Sequence, residues 1–205
     1  MWKQYNRIIK NNGAIVLTST QPFTTELIHS NLDMFKYEWI WDKKKPTGWL
    51  LAKKQPMRQH ENVLVFYKKQ PIYNPQPYIK NTVRYLSNKK SKTFVETLGM
   101  EKGRTSNNEN SEGYPRSIIN CIPVLNNLTK DKAGLHPTQK PVALFEYLIK
   151  TYTNENDLIL DNCIGSGTTA IACINTNRRF IGFELDTGYF NIANERISSL
   201  KKVIV

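Results

Sequence analysis

Nine consecutive residues constrain this 205-residue chain more than any others: Asp161-Asn162-Cys163-Ile164-Gly165-Ser166-Gly167-Thr168-Thr169. The apolar run Leu158-Ile159-Leu160 reads as a short buried strand ending at the acid Asp161. A glycine turn follows and opens a helix from about Ser166 to Asn175, and a second strand, Phe180 to Phe183, ends at Glu184. Glycines allow a ligand close to the backbone, and the start of a helix offers unpaired N–H groups. An acid ending the next strand is placed to accept hydrogen bonds from both ribose hydroxyls. The layout predicts a nucleoside-cofactor site. Dinucleotide-binding turns carry a third glycine where this chain has Thr169-Ala170, which points to a cofactor without pyrophosphate. A Gly-x-Gly alone serves many tight turns; the strand contexts and Glu184 make this one informative.

The flanking segments agree with an α/β chain. Trp2, Tyr5, Ile8 and Ile9 repeat at helical spacing, Asn11-Asn12-Gly13 stops the helix, and Ala14 to Leu17 reads as a buried strand. Pro22 introduces a short helix with Leu27, Ile28 and Leu32 inward. Phe35 to Trp41 alternates as a strand, a basic loop runs from Lys43 to Arg58, and Asn62 to Tyr67 is a strong third strand. From Lys69 to Leu135 periodicity fades and Pro, Asn, Ser and Lys dominate, with one strand at Arg116 to Ile119. That stretch is too long for a connection and reads as an insert. After Pro141, Val142, Phe145, Leu148, Ile149 and Tyr152 share a helical face, and Tyr189, Ile192, Ala193 and Ile197 mark a last helix. Strand–helix alternation predicts a mostly parallel sheet with helices on both faces. Three regions result: 1–68, an insert at 69–135, and 136–205.

Charge divides the same way. The net charge is +12, and residues 36–135 hold 19 basic against 8 acidic side chains, whereas 136–205 hold seven of each. A polyanion-binding surface on a neutral scaffold has this distribution, and so does a solvated lysine-rich surface. No apolar run approaches the ~20 residues of a membrane span, and the N-terminus lacks a secretion-signal pattern. Three cysteines, Cys121, Cys163 and Cys173, show no CxxC spacing, which argues against a disulfide framework or zinc cluster and for a reducing interior. His29, His60 and His136 lie far apart without a carboxylate cluster, so no metal is expected.

Before the third helical face stands His136-Pro137-Thr138-Gln139-Lys140-Pro141. Read alone, it is a rigid helix entry with polar residues facing water. Together with the glycine turn it resembles the amino-group DNA methyltransferases of the permuted (β) class, which use S-adenosylmethionine. The resemblance covers essentially the whole chain in order: strands, target-recognition insert, His-Pro-Thr-Gln-Lys-Pro segment, glycine turn. The family turn is usually Asp-Pro-Phe-x-Gly-Ser-Gly-Thr-Thr; here Asn162 and Cys163 replace Pro and Phe. The resemblance implies a class I methyltransferase fold in permuted order. It also implies cofactor contacts by Asp161, Asn162, Cys163, Gly165, Gly167 and Thr168, with Glu184 on the ribose. His136, Thr138, Gln139 and Lys140 would surround the methionine end. The basic middle becomes a surface for double-stranded DNA, with Lys43, Lys44, Lys45, Lys53, Lys54, Arg58, Lys89, Lys90, Lys92 and Arg104 as contacts. The implied reaction is methyl transfer to the exocyclic amine of adenine, less favourably cytosine, in a cytoplasmic bacterial or phage modification system.

One family feature is not in the sequence. The exocyclic amine is a poor nucleophile, and the family polarises it with an Asp/Asn/Ser-Pro-Pro-Tyr/Phe tetrapeptide at a strand end. Thr20-Gln21-Pro22-Phe23 and Asn74-Pro75-Gln76-Pro77-Tyr78 are near-misses, and neither is taken as the catalytic loop. In the family the motif precedes the first helix seen here, and its strand would lie between the first strand and the one ending at Asp161. Three explanations follow: a truncated or mis-started frame, a second chain supplying the strand, or an inactive remnant that binds cofactor or DNA. Truncation is preferred, and an in-frame Asp-Pro-Pro-Tyr-like stretch upstream of Met1 would decide it. A homodimer is also compatible with the sequence. This chain alone is expected to be inactive, so no catalytic residue is assigned within it.

Overall fold

The run Val63-Leu64-Val65-Phe66, fully buried, organises the fold because successive side chains of a strand point to opposite faces. The computed structural model describes residues 1–76, 78–79, 112–119 and 139–201. The chain divides into two compact units, Met1–Asn74 with Arg116–Val205, and Pro75–Pro115. In order, the first unit contains α1 (Trp2–Ile8), β1 (Ile15–Ser19), α2 (Phe23–His29), β2 (Phe35–Thr47) and β3 (Arg58–Phe66). The second unit shows a short antiparallel pair, β4 (Tyr78–Ile79) with β5 (Glu112–Gly113). The first unit then resumes with β6 (Ile118–Ile119), α3 (Val142–Tyr152), β7 (Leu158–Asp161), α4 (Thr168–Asn175), β8 (Arg179–Gly182) and α5 (Thr187–Lys201).

One sheet has the order β1-β3-β2-β6. β3 runs antiparallel to both β1 and β2, and β2 runs parallel to β6. β1, β2 and β6 therefore share one direction and β3 alone is reversed. Its hairpin connection to β2 dictates the reversal. The sheet is therefore mixed: three of its strands share a direction, while both ladders of the central β3 are antiparallel.

Helices cover both faces. Val63 and Val65 pack with Trp39, Trp41 and Ile119 against Leu144, Leu148 and Tyr152 of α3. Leu64 and Phe66 face the other way, with Ile15, against Leu27 of α2 and Trp2 and Tyr5 of α1. Phe35 belongs to the second cluster and Tyr37 to the first, although their positions differ by two. A register shift between them, where Phe35 pairs with Phe66 and Tyr37 with Val65, supplies the extra residue that changes the face.

β7 and β8 form a separate parallel pair. α3 joins the two layers: while Leu144, Leu148 and Tyr152 serve the first sheet, Ile149, Val142 and Phe145 pack with Ala172, Cys173, Ile159 and Phe180. Among the described residues β1 is paired only with β3 and β7 only with β8, so each has an unpaired edge. Here the structure departs from the sequence reading. Leu158 is 50% and Leu160 40% exposed rather than buried, because nothing described covers that face of the pair.

Two further expectations change. Leu32 is 58% exposed rather than inward, because α2 ends at His29 and Leu32 falls in the following turn. The basic segment expected as a loop from Lys43 is strand as far as Thr47, and β3 starts at Arg58 rather than Asn62. The backbone ladder continues through Asp42↔His60 and Thr47↔Arg58 where neither face is apolar, so no alternation marked it. Asn74, in one near-miss motif, caps α3: its side-chain amide donates to the carbonyls of Lys150 and Thr153, each at 3.1 Å. In the other, Pro22 is the N-cap of α2.

The buried Tyr152 hydroxyl accepts from Trp39 Nε1 at 2.6 Å and lies 3.0 Å from the Tyr37 hydroxyl. Burial pushes this phenol well above its ordinary pKa. Tyr152→Phe would leave the buried Trp39 N–H unpaired, at a cost of about 1–3 kcal/mol. We expect a melting temperature lower by roughly 3–10 °C, read by thermal unfolding, whereas an unchanged value would show that the bond is not needed.

Candidate functional site

Two strand ends and one helix start converge on a cleft. β7 ends at Asp161, whose carboxylate is tied down at both oxygens: Oδ1 accepts the Cys163 N–H at 3.0 Å and Oδ2 accepts the Thr169 hydroxyl. The turn then closes through Gly167 N–H to the Ile164 carbonyl at 2.9 Å. Gly167 stands at φ +84°, and a Cβ there would meet Ala193 Cβ of α5 at 3.0 Å. Glycine is required at that position both by the left-handed backbone and by the helix that packs on it. Gly182 serves the same turn from β8, since a Cβ on it would collide with the Ile164 side chain.

Glu184 sits just beyond β8 and reaches back to the turn. Its Oε2 accepts the Gly165 N–H at 2.8 Å, and its Oε1 accepts those of Leu185 and Asp186 at 2.9 and 3.0 Å. The Asp186 amide, together with those of Gly165 and Leu185, holds its carboxyl below the usual glutamate range. The group is ionised at neutral pH with its orientation set, which suits acceptance of a diol's hydrogen bonds.

The cleft is lined by Gln139, Lys140, Phe145, Asp161, Cys163, Ile164, Gly165, Ser166, Thr168 and Thr169. Thr168 donates its hydroxyl to the Lys140 carbonyl at 3.3 Å, which joins the helix-entry segment to the glycine turn. Lys140 Nζ in turn lies 2.8 Å from Glu61 Oε2, and Lys43 Nζ lies 3.5 Å from Glu61 Oε1. These groups are compatible with a nucleoside: an ionised carboxylate beside the cleft, apolar surface from Phe145 and Ile164, and room at glycine for close approach. No group of three or more His, Cys, Asp or Glu side chains that could hold a metal occurs among the described residues.

Of the expected cofactor contacts, Asp161, Cys163, Gly165, Thr168, Gln139 and Lys140 line the cleft, and Glu184 and Gly167 shape it. Asn162 does not line the cleft; its Oδ1 accepts the Tyr5 hydroxyl of α1 at 2.8 Å. His136 and Thr138 lie outside the described residues. Phe145, Ile164, Ser166, Thr169, Tyr5 and Glu61 were not singled out. Ile164, Ser166 and Thr169 sit inside the nine-residue stretch and were within reach of the sequence reading. Tyr5, 157 positions from its partner, carried no local signal.

The expected DNA contacts fall into three groups. Lys43 is paired with Glu61, and Lys44 lies 2.6 Å from Asp42. Hydrogen bonds from Lys44, then Gln59, lower the Asp42 pKa to about 2. Lys53, Lys54 and Arg58 are exposed, with no ion pair among the described residues. Lys45 lies in β2, and Lys89, Lys90, Lys92 and Arg104 fall outside the described residues. No helix among the described residues is long and apolar enough to cross a membrane.

Comparison with known proteins gives the same picture. A family model described as DNA methylase matches residues 1–195. Type II methyltransferase M.BglII of Bacillus subtilis is 32% identical over 95% of this chain and 50% of its own length. Orphan methyltransferase M.BamHII of Bacillus amyloliquefaciens is 31% identical over 81% of this chain and 54% of its own. The chain thus spans about half the length of these two relatives. Among solved structures, M1.HpyAVI in complex with SAM superposes with a TM-score of 0.62 at 26% identity, covering 95% of this chain and 78% of that one. The cytosine-N4-specific PvuII DNA methyltransferase, at 15% identity and TM-score 0.60, shares the fold, with 94% and 70% of the two chains covered. With the class I methyltransferase architecture and the family model both spanning nearly its whole length, the chain belongs to the DNA methylase family.

Proposed function

We propose that this chain is the cofactor- and DNA-binding portion of a site-specific DNA amino-methyltransferase, with adenine preferred over cytosine. The observation that carries the reading is the Glu184 carboxylate, ionised and held 2.8 Å from the Gly165 amide at the mouth of the glycine turn. When bound, S-adenosylmethionine supplies an electrophilic methyl group. Glu184 would accept the ribose hydroxyls, Phe145 and Ile164 would flank the base, and Gln139 and Lys140 would lie toward the amino-acid end. Lys53, Lys54 and Arg58 would meet DNA phosphates.

These residues bind and orient, and none of them polarises an exocyclic amine. The acceptor tetrapeptide of the family does not occur within the 205 residues. We therefore expect no methyl transfer by this chain alone. Incubation with labelled S-adenosylmethionine and mixed-sequence duplex DNA tests this, and product well above a no-enzyme blank would contradict it.

One observation favours a second reading, in which another chain completes the enzyme. Among the described residues one edge each of β1 and β7 is unpaired, and such edges offer backbone donors and acceptors to an added strand. In that case the present chain acts only as a binding subunit until its partner arrives.

Cofactor binding is expected whichever reading applies. Glu184→Ala should weaken S-adenosylmethionine binding about ten- to a hundred-fold, since hydrogen bonds to a charged acceptor are lost. Because the folded carboxyl titrates below the usual glutamate range, affinity should persist as pH falls through that range and decline only beneath it. Calorimetry reads both effects; equal heats for the two proteins would count against the assignment.

A further inference from the structure

The β2–β3 hairpin extends past the core and ends in an apolar tip. The last buried side chains on its two strands are Trp41 and Asn62, after which the ladder continues to Thr47↔Arg58. Gly48, at φ +90° with open space where a Cβ would stand, turns the chain into a single 3-10 turn, Trp49–Leu51. The tip is well made: Leu51 N–H donates to Gly48, Ala52 N–H to Trp49 and Lys54 N–H to Leu51, at 3.0, 3.0 and 2.8 Å. Its backbone is held by these turn bonds, yet Trp49 is 75%, Leu50 77% and Leu51 46% exposed. Large apolar side chains held outward on an ordered turn mark a binding surface rather than a frayed loop. Around them residues 43–60 contain six basic and no acidic side chains.

We propose that Trp49, Leu50 and Leu51 form a wedge that enters between base pairs of duplex DNA while Lys53, Lys54 and Arg58 hold the flanking phosphates. The inference rests on the DNA-binding reading above. Charge complementarity selects a polyanion, and an apolar tip inside a cationic collar is what partial unstacking of a base step needs. An anionic lipid surface would attract the same collar, and the test separates the two.

A mixed-sequence duplex carrying 2-aminopurine reports unstacking by brighter emission, and anisotropy of an end label reports binding. We expect the unmodified chain to bind and brighten the probe. A Trp49→Ala, Leu50→Ala double variant should bind about ten-fold more weakly, without brightening and with an unchanged salt slope. Lys53→Ala with Lys54→Ala should instead lower the log–log salt slope by about two. A double wedge variant equal to the parent in affinity and brightening overturns the wedge and leaves DNA binding intact. Absence of DNA binding by the parent overturns both. Trp49-dependent binding to phosphatidylserine vesicles, with no Trp49 effect on DNA, assigns the tip to lipid and overturns the proposal.

Discussion

The site depends on a carboxylate shared between two loops. Glu184 follows β8, Gly165 follows β7, and the 2.8 Å bond between them adds a side-chain tie to the backbone bonds that already join the two strand ends, Phe183 N–H to Asp161 and Ile164 N–H to Phe183. Asp161 does the equivalent work within the turn, where its two oxygens hold Cys163 and Thr169. With both carboxylates so engaged, the backbone of the glycine turn is held at Gly165, Cys163 and Thr169.

That geometry is carried into the rest of the molecule by α3. Its length serves two cores at once, and the Lys140 carbonyl just before it receives Thr168. Lys140 then reaches Glu61 on β3, which also holds Lys43 on β2. A continuous chain of contacts therefore runs from the glycine turn to the base of the exposed hairpin. α1 adds a second tie through Tyr5 and Asn162, on a residue where the family usually has proline. Proline would fix the turn through its ring; here a hydrogen bond from a distant helix occupies the same position.

Much of this was legible in the residues themselves. Asp161 to Thr169 and Glu184 announced the cleft because backbone approach and diol binding demand those residue types at those positions. The apolar run Asn62 to Tyr67 announced a strand, and the structure shows its successive side chains buried on opposite faces. What stayed hidden had non-local or backbone causes. The strand through Lys43 to Thr47 is held by a ladder and not by apolar patterning. The exposure of Leu158 and Leu160 reflects which described elements pack on that face, and a strand's own sequence does not encode its neighbours. The tie from Tyr5 to Asn162, and the place of Phe145 in the cleft, exist only once α1 and α3 are packed.

The proposed role of the glycine turn and Glu184 is to hold a nucleoside cofactor. Backbone amide resonances test it most directly. On titration with S-adenosylmethionine, we expect saturable shifts at residues 163–169 and 184–186, with those of the β2–β3 hairpin tip unmoved. Shifts absent from the turn at saturating ligand, or confined to other parts of the molecule, would contradict the account.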